Sequence, residues 1–262
     1  MATIGIFDSG CGGLSVFREI RRILPNENYL YWGDNAYCPY GPKGPDFIVD
    51  RSRKITEFLL QNGADAIVVA CNTATSYSID ILRDEFSVPF IGMVPAVKPA
   101  VQTTKTGVIG VLATKGTLNA PLYNRIKESY GKDVQIVEHI GEGFVELVES
   151  LELEGENAYS IVSSSVRPLL SQKADVLVLG CTHYPFLCNL ITHVAEDLKP
   201  CDIGTVQVID PAPAVAKHLY DVLADSGVPI NTGKYEVELL SSGEKGILES
   251  LYEKFIKTEI EG

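Results

Sequence analysis

The chain has 262 residues, 45% of them hydrophobic and 21% charged, which suits a globular protein with a core large enough for one big domain or two ordinary α/β domains. A formal net charge of −12 argues against a broad nucleic-acid surface, but not against an acidic small substrate, because helix N-termini supply a local positive field. Met1-Ala2-Thr3-Ile4 leads straight into strand pattern and apolar runs such as Ile67–Ala70 are far too short to span a bilayer, so a cytoplasmic protein without membrane contact is expected.

Thr3–Phe7 reads as a first strand, ending in Asp8-Ser9-Gly10-Cys11-Gly12-Gly13. Leu14, Val16, Phe17, Ile20 and Ile23 then recur at helical spacing until Pro25. Tyr29–Trp32 is a second strand followed by Gly33-Asp34-Asn35, and the Pro/Gly-rich Pro39–Pro45 predicts a shaped loop. A helix over Asp46–Gln61 precedes the strand that ends at Cys71; a helix at Thr75–Phe86 and a short strand at Pro89–Met93 follow. The second half starts again at Gly107–Thr114 and continues with a helix at Leu118–Tyr130, a strand at Val134–Glu138, a helix from near Gly143 and an acidic turn between Glu149 and Glu156. Another helix runs to about Ser171, and after the Cys181 strand a helix covers Pro185–Leu198. Val206–Ile209, a helix at Pro213–Ser226, a strand at Tyr235–Leu240 and a helix at Glu244–Lys257 complete the chain.

One stretch occurs twice. Ala64-Asp65-Ala66-Ile67-Val68-Val69-Ala70-Cys71 and Ala174-Asp175-Val176-Leu177-Val178-Leu179-Gly180-Cys181 share an Ala-Asp start, an apolar run suited to a doubly buried parallel strand, and a terminal cysteine. Ile4–Ser9 likewise parallels Ile109–Thr114, at an offset of 105 residues against 110 at the cysteines. Alternating strands and helices with an ordered internal repeat predict two pseudo-symmetric three-layer α/β domains with mostly parallel sheets. The expected domains are residues 1–95 with 206–262, and residues 96–205.

Each cysteine is expected where a parallel strand gives way to a helix, the edge at which open α/β sheets bind ligands. A helix N-terminus favours the thiolate, so both positions predict a lowered thiol pKa. Two such thiols suit a symmetric task in which one removes a proton and the other returns one, inverting a stereocentre. The bland alternative, small buried strand-end residues, fits a lone cysteine better than a matched pair. Asp8, Ser9, Asp34, Asn72, Thr73, Thr114, Thr182 and His183 fall at the same predicted edges. Asp8 is placed to tune Cys71, and His183 to tune Cys181; Asn72 and Thr182 also suit simple helix capping. The loop Asp8–Gly13 fits neither common phosphate-loop pattern. Cys181, His183 and His193 lack recognised zinc spacing, so no metal site is expected. Cys11 and Cys38 read as packing residues, and the absence of a Cys-x-x-Cys pattern among the six cysteines predicts free thiols.

Ile6-Phe7-Asp8-Ser9-Gly10, Gly12-Gly13-Leu14, Gly33-Asp34, Pro39-Tyr40-Gly41-Pro42, Ala70-Cys71-Asn72-Thr73-Ala74 and Leu179-Gly180-Cys181-Thr182-His183-Tyr184-Pro185 resemble the cofactor-independent aspartate/glutamate racemases, and glutamate racemases in particular. The resemblance implies two α/β domains with the active site between them, interconversion of L- and D-glutamate for peptidoglycan synthesis, no cofactor, and a homodimer. It implies that Cys71 takes the α-proton of D-glutamate and Cys181 that of L-glutamate. Asp8, His183, Asp34 and Glu149 would assist as catalytic residues, with Asp8, Ser9, Tyr40, Gly41, Asn72, Thr73, Thr114, Thr182 and His183 as substrate-binding positions. Val94, Cys11 and Cys38 depart from the family's usual residues, and no longer N-terminal segment of the kind tied to activation by a peptidoglycan precursor is expected. Rival readings are an aspartate or hydantoin racemase, a silent amino-acid-binding protein, and a thiol hydrolase built on Cys181 and His183.

Overall fold

A computed structural model describes residues 2–227 and 235–258. Its contacts divide the chain into two compact units, Met1–Met93 with Ala212–Gly262, and Val94–Pro211.

The first unit begins with β1 (Thr3–Asp8), α1 (Leu14–Ile23), β2 (Asn28–Gly33), α2 (Pro45–Gln61), β3 (Ala66–Val69), α3 (Asn72–Glu85) and β4 (Phe90–Gly92). The second contains α4 (Val97–Thr103), β5 (Val108–Ala113), α5 (Lys115–Leu118), α6 (Pro121–Tyr130), β6 (Gln135–Ile140), α7 (Phe144–Glu149), α8 (Glu156–Ser171), β7 (Val176–Gly180), α9 (Cys188–Leu198) and β8 (Gln207–Ile209). The chain then returns to the first unit with α10 (Ala212–Asp225), β9 (Val237–Ser241) and α11 (Gly246–Tyr252), which runs on into a π-helical turn at Glu253–Lys257. The Tyr235–Leu240 prediction thus corresponds to β9.

Both sheets are parallel throughout: β4-β3-β1-β2-β9 in the first unit and β6-β5-β7-β8 in the second. The repeat is kept down to register. Ile4 pairs with Ala66 in one sheet, and Ile109, its equivalent, pairs with Val176 in the other. β3 and β7 are buried along their whole length, as strands covered by helices on both faces must be. In the second unit Val97, Ala100, Ile109, Val111, Ala113, Tyr123, Val176 and Val178 form one fully enclosed apolar cluster.

Two glycines show why the halves pack alike. A Cβ on Gly5 would lie 2.7 Å from Ile67 Cδ1 and 3.2 Å from Leu59 Cβ; on Gly110 it would lie 2.8 Å from Leu177 Cδ2 and 3.2 Å from Leu169 Cβ. Each central strand therefore lacks a side chain where one leucine of α2 or α8 presses onto it. The helices also end alike. Leu59 accepts from Ala64 N–H and Leu169 from Ala174 N–H, a closure that needs a left-handed residue just beyond the helix. That residue is Gly63 (φ 88°) in the first half but Lys173 (φ 67°) in the second. Glycine is at ease there and lysine is not. Replacing Lys173 with glycine is expected to raise the melting temperature by about 2 °C, read by calorimetry, because the lost ion pair to Asp202 is exposed and weak. A lowered melting temperature would mean that the pair outweighs the strain.

The duplicated aspartates serve the opposite ends of the strands. Asp65 accepts from Thr3 N–H at 2.8 Å. Asp175 accepts from Lys105 N–H at 2.7 Å, Thr106 N–H at 3.2 Å and the Thr104 and Thr106 hydroxyls. Burial alone would raise the Asp175 pKa, but these donors hold it below the usual carboxylate value.

Three local expectations change. Val206–Ile209, expected in the first domain, belongs to the second: β8 pairs with β7 in the second sheet, occupying the place that β4 holds beside β3. The helix expected at Leu118–Tyr130 starts only at Pro121, as α6, because Ala120 is extended; Leu118 instead ends the separate short helix α5. Helix α4 has no counterpart in the periodicity reading. It is only seven residues long and carries Pro99 in its first turn, where proline costs no hydrogen bond.

Candidate functional site

In an open parallel sheet, successive connections that run to opposite sides leave a crevice beyond the strand C-termini at the point where the order reverses. In the first unit that point lies between β1 and β3, and in the second between β5 and β7. Cys71 follows β3 after Ala70, and Cys181 directly follows β7. Both thiols therefore leave their sheets at equivalent switch points, and both are nearly buried, 5% and 9% exposed.

Around Cys71 the side chains fix one another. Asp8, the last residue of β1, accepts from Ser9 N–H at 2.6 Å, Gly13 N–H at 2.5 Å and the Ser9 hydroxyl at 3.2 Å. This carboxylate curls the loop back on itself. Gly13 is required for the approach, since a Cβ there would lie 2.8 Å from Asp8 Cβ and 2.9 Å from the Tyr31 hydroxyl. Ser9 Oγ in turn accepts from the Cys71 thiol at 3.6 Å. Cys71 caps α3 in extended conformation, its sulfur accepting from Ala74 N–H at 3.4 Å.

Despite that helix N-terminus, the Cys71 pKa is not lowered. Burial, reinforced by the Asp8 charge, pushes the thiol up to about 12, against the smaller pull of the Ala74 N–H and Ser9. The expectation of a lowered value fails because one cap hydrogen bond cannot offset complete desolvation and a neighbouring carboxylate. Asn72 and Thr73 open the helix and are buried. Among the described residues, neither buried polar atom of the Asn72 amide meets a hydrogen-bond partner, a cost a folded protein ordinarily avoids unless something else meets that group.

Asp34, just past β2, is wholly buried. It accepts a two-pronged contact from Arg51 on α2, at 2.9 Å and 2.5 Å, together with the Tyr40 hydroxyl at 2.6 Å and Trp32 Nε1 at 3.3 Å. Burial would raise its pKa, but Arg51 and Tyr40 hold it below the ordinary carboxylate value. Asp34 is thus an ionised anchor rather than a carboxyl poised to exchange protons. Gly41 starts a 3₁₀ turn, Gly41–Lys43, directly after Tyr40. Arg51 was not singled out in the sequence; its place on α2 carries no motif, and only the fold brings it to Asp34.

The second unit solves the same problem with different residues. Cys181 Sγ lies 3.8 Å from His183 Nδ1, and His183 Nε2 lies 3.3 Å from Glu149 Oε1 at the end of α7. His183 is 3% exposed, whereas the Glu149 side chain is 39% exposed. A thiol, an imidazole and a carboxylate thus stand in series, with the outer carboxylate setting the imidazole's orientation. Thr182 is buried beside them. Thr114, at the end of β5, caps α5 by accepting from Thr117 N–H at 3.3 Å.

Cys181 departs from the predicted mirror image. No α-helix starts behind it; a 3₁₀ turn covers Tyr184–Leu187 and α9 begins only at Cys188. Pro185, consistent with a helix start, sits in that turn instead. The tighter turn leaves the thiol without an α-helix N-terminus, and His183 takes the neighbouring position.

The two repeated α/β units carry strand-end thiols at their switch points, each beside its own polar partner, and the chain belongs to the Asp/Glu/Hydantoin racemase family, whose profile matches residues 4–219. Within that family it is similar to the glutamate racemase of Herpetosiphon aurantiacus, with 44% identity covering 92% of each chain. Two solved structures are similar over nearly the whole fold. The glutamate racemase of Francisella tularensis in complex with D-glutamate has a TM-score of 0.82 at 27% identity, covering 98% of this chain and 94% of that one. The Escherichia coli glutamate racemase in complex with L-glutamate and the activator UDP-MurNAc-Ala has a TM-score of 0.82 at 31% identity, covering 97% and 95%. Among the described residues no helix is long and apolar enough to cross a membrane.

Proposed function

We propose that this chain is a glutamate racemase that interconverts L- and D-glutamate by proton transfer between two thiols. The observation that carries the reading is the pair of cysteines at equivalent switch points, in sheets whose register is conserved between the halves. The family match and the similarity to racemases solved with D- and with L-glutamate support the choice of substrate.

In this proposal Cys71 removes the α-proton of D-glutamate and Cys181, as the thiol, delivers one to the opposite side of the same carbon; the reverse reaction exchanges the roles. The raised pKa keeps Cys71 protonated when it is the proton donor and makes it, once ionised, a strong base toward a weakly acidic C–H. Asp8 keeps that base strong and holds the Ser9 loop, while His183, oriented by Glu149, accepts or returns the proton of Cys181. Charge developing at the substrate carboxylate is met by donors fixed beforehand: the N–H groups behind each cysteine, the Asn72 amide, and the hydroxyls of Ser9, Thr73, Thr114 and Thr182. Tyr40 and Gly41 form a further binding edge. Such an enzyme supplies D-glutamate for peptidoglycan from the cytoplasm, working without an added cofactor and as a homodimer.

Incubation with L-glutamate in D₂O tests the reading. The expected result is α-deuterium by NMR together with decay of the circular dichroism signal to zero. Retention of both the α-proton and the optical signal under reducing conditions would overturn it. Reaction of aspartate in place of glutamate would overturn the substrate assignment and leave the thiol chemistry standing.

A further inference from the structure

The link between β2 and α2 is held at one buried point. From Asn35 to Gly44 the chain has only two 3₁₀ turns, Asn35–Tyr37 and Gly41–Lys43, so its shape depends on side-chain anchors. Two of them, Tyr40 and Arg51, meet at Asp34. Tyr40, 1% exposed, donates its hydroxyl from the loop. Arg51 donates from the helix through Nε and Nη2, one to each carboxylate oxygen. The Arg51 guanidinium also lies 4.3 Å above the ring of Tyr37, in the loop's first turn. Phe47 closes the other side, edge-on to Tyr40 at 6.3 Å and tilted against Tyr37 at 5.6 Å. The cluster is tied to the Cys71 side of the unit through the backbone: Asp34 N–H donates to the Asp8 carbonyl at 2.9 Å, and Ser9, the next residue, accepts from the Cys71 thiol. Burial first, then Asp34, raise the Tyr40 hydroxyl far above the ordinary tyrosine value, so it remains a donor.

We propose that Arg51 is a positioning residue for the racemase: through Asp34 it fixes Tyr40 and the Tyr40–Gly41 edge at the strand ends of the Cys71 unit. This rests on the proposed function for what the edge binds, but the clamp itself is independent of it. The geometry demands arginine. Only a planar fork reaches both oxygens of Asp34 while its face rests on Tyr37; a lysine ammonium keeps the charge and loses both features. Removing the charge altogether would strand Asp34 as a buried carboxylate with its strongest partner gone.

The test compares Arg51→Lys with Arg53→Lys. Arg53 lies on the same helix and makes an equally close two-pronged pair with Glu85, but at the surface. Arg51→Lys is expected to raise KM for glutamate about tenfold with kcat changed less than threefold, and to speed alkylation of Cys71 by iodoacetamide about tenfold, since small displacements of a binding edge have effects of this order. Tyr40→Phe should shift KM similarly, and the Arg51→Lys/Tyr40→Phe double variant should be no worse than the poorer single one, because both act through one carboxylate. Arg53→Lys should alter neither KM nor alkylation.

An Arg51→Lys protein that melts earlier but keeps its KM and alkylation rate would overturn the proposal, as would additive effects in the double variant. If the wild-type protein turns over no glutamate, the racemase reading falls and the alkylation rates alone decide the clamp: acceleration in Arg51→Lys and not in Arg53→Lys supports it, equal rates overturn it.

Discussion

Alanine at Cys71 or at Cys181 is expected to lower racemisation of either enantiomer of glutamate by about 10³-fold or more, the scale of losing an acid–base group that acts in the transition state. The more telling result is what each variant keeps. With Cys181 replaced, Cys71 should still remove and return the α-proton of D-glutamate, so D-glutamate gains deuterium in D₂O without inverting. With Cys71 replaced, the same holds for L-glutamate at Cys181. NMR of each enantiomer, with chiral analysis of the recovered amino acid, reads both outcomes. Undiminished turnover by either variant, or exchange of both enantiomers by a single-thiol enzyme, would exclude two thiols with separate faces.

The second large effect concerns the state of Cys71 before substrate binds. With its pKa pushed up to about 12, the fraction ionised near neutral pH is about a thousandfold below that of a thiol at the reference value of 9.0. Cys71 should therefore react with iodoacetamide about a thousandfold more slowly than an ordinary cysteine at pH 7.5, its rate rising tenfold per pH unit toward pH 12. The sign of the Asp8 contribution is equally definite. A carboxylate beside the sulfur disfavours a second negative charge, so Asp8→Asn should lower the Cys71 pKa and accelerate alkylation. The same change weakens the fold by about 1–3 kcal/mol, because an amide cannot accept from both Ser9 N–H and Gly13 N–H as the two carboxylate oxygens do. Mass spectrometry of Cys71 as a function of pH, with chemical denaturation of the same samples, separates the two effects. Slower alkylation in Asp8→Asn would mean that Asp8 aids ionisation by holding Ser9 rather than opposing it by charge.

Much of this organisation was legible in the residues. The duplicated Ala-Asp start, the apolar run and the cysteine place both thiols at strand ends, and the two offsets reproduce the register of both sheets. The partners of Cys181 were half legible: His183 is adjacent in sequence, whereas Glu149 lies 34 residues away and was reached only through resemblance. Arg51 had no signal because an arginine within a polar helix face looks like any solvated cation until the fold brings Asp34 to it. The rise in the Cys71 pKa was hidden for a related reason. A helix start can be read from sequence, but the depth of burial and the nearness of Asp8 are tertiary facts, and here they outweigh the helix. The repeat itself could have assigned β8, since a half that copies β1, β2 and β3 also needs its β4.

The return of the chain to the first unit at Ala212 sets an order of completion during synthesis. The first unit starts at the N-terminus, yet α10, which packs on α1, and β9, which pairs with β2, emerge last. The second unit is continuous and has every strand of its sheet once Ile209 has been made. A chain growing at roughly 5–20 residues per second therefore closes its Cys181 half first and holds the Cys71 half open until the final segment arrives. A nascent chain arrested after residue 211 should protect β5 and β7 from protease while leaving β2 without β9 and α1 without α10.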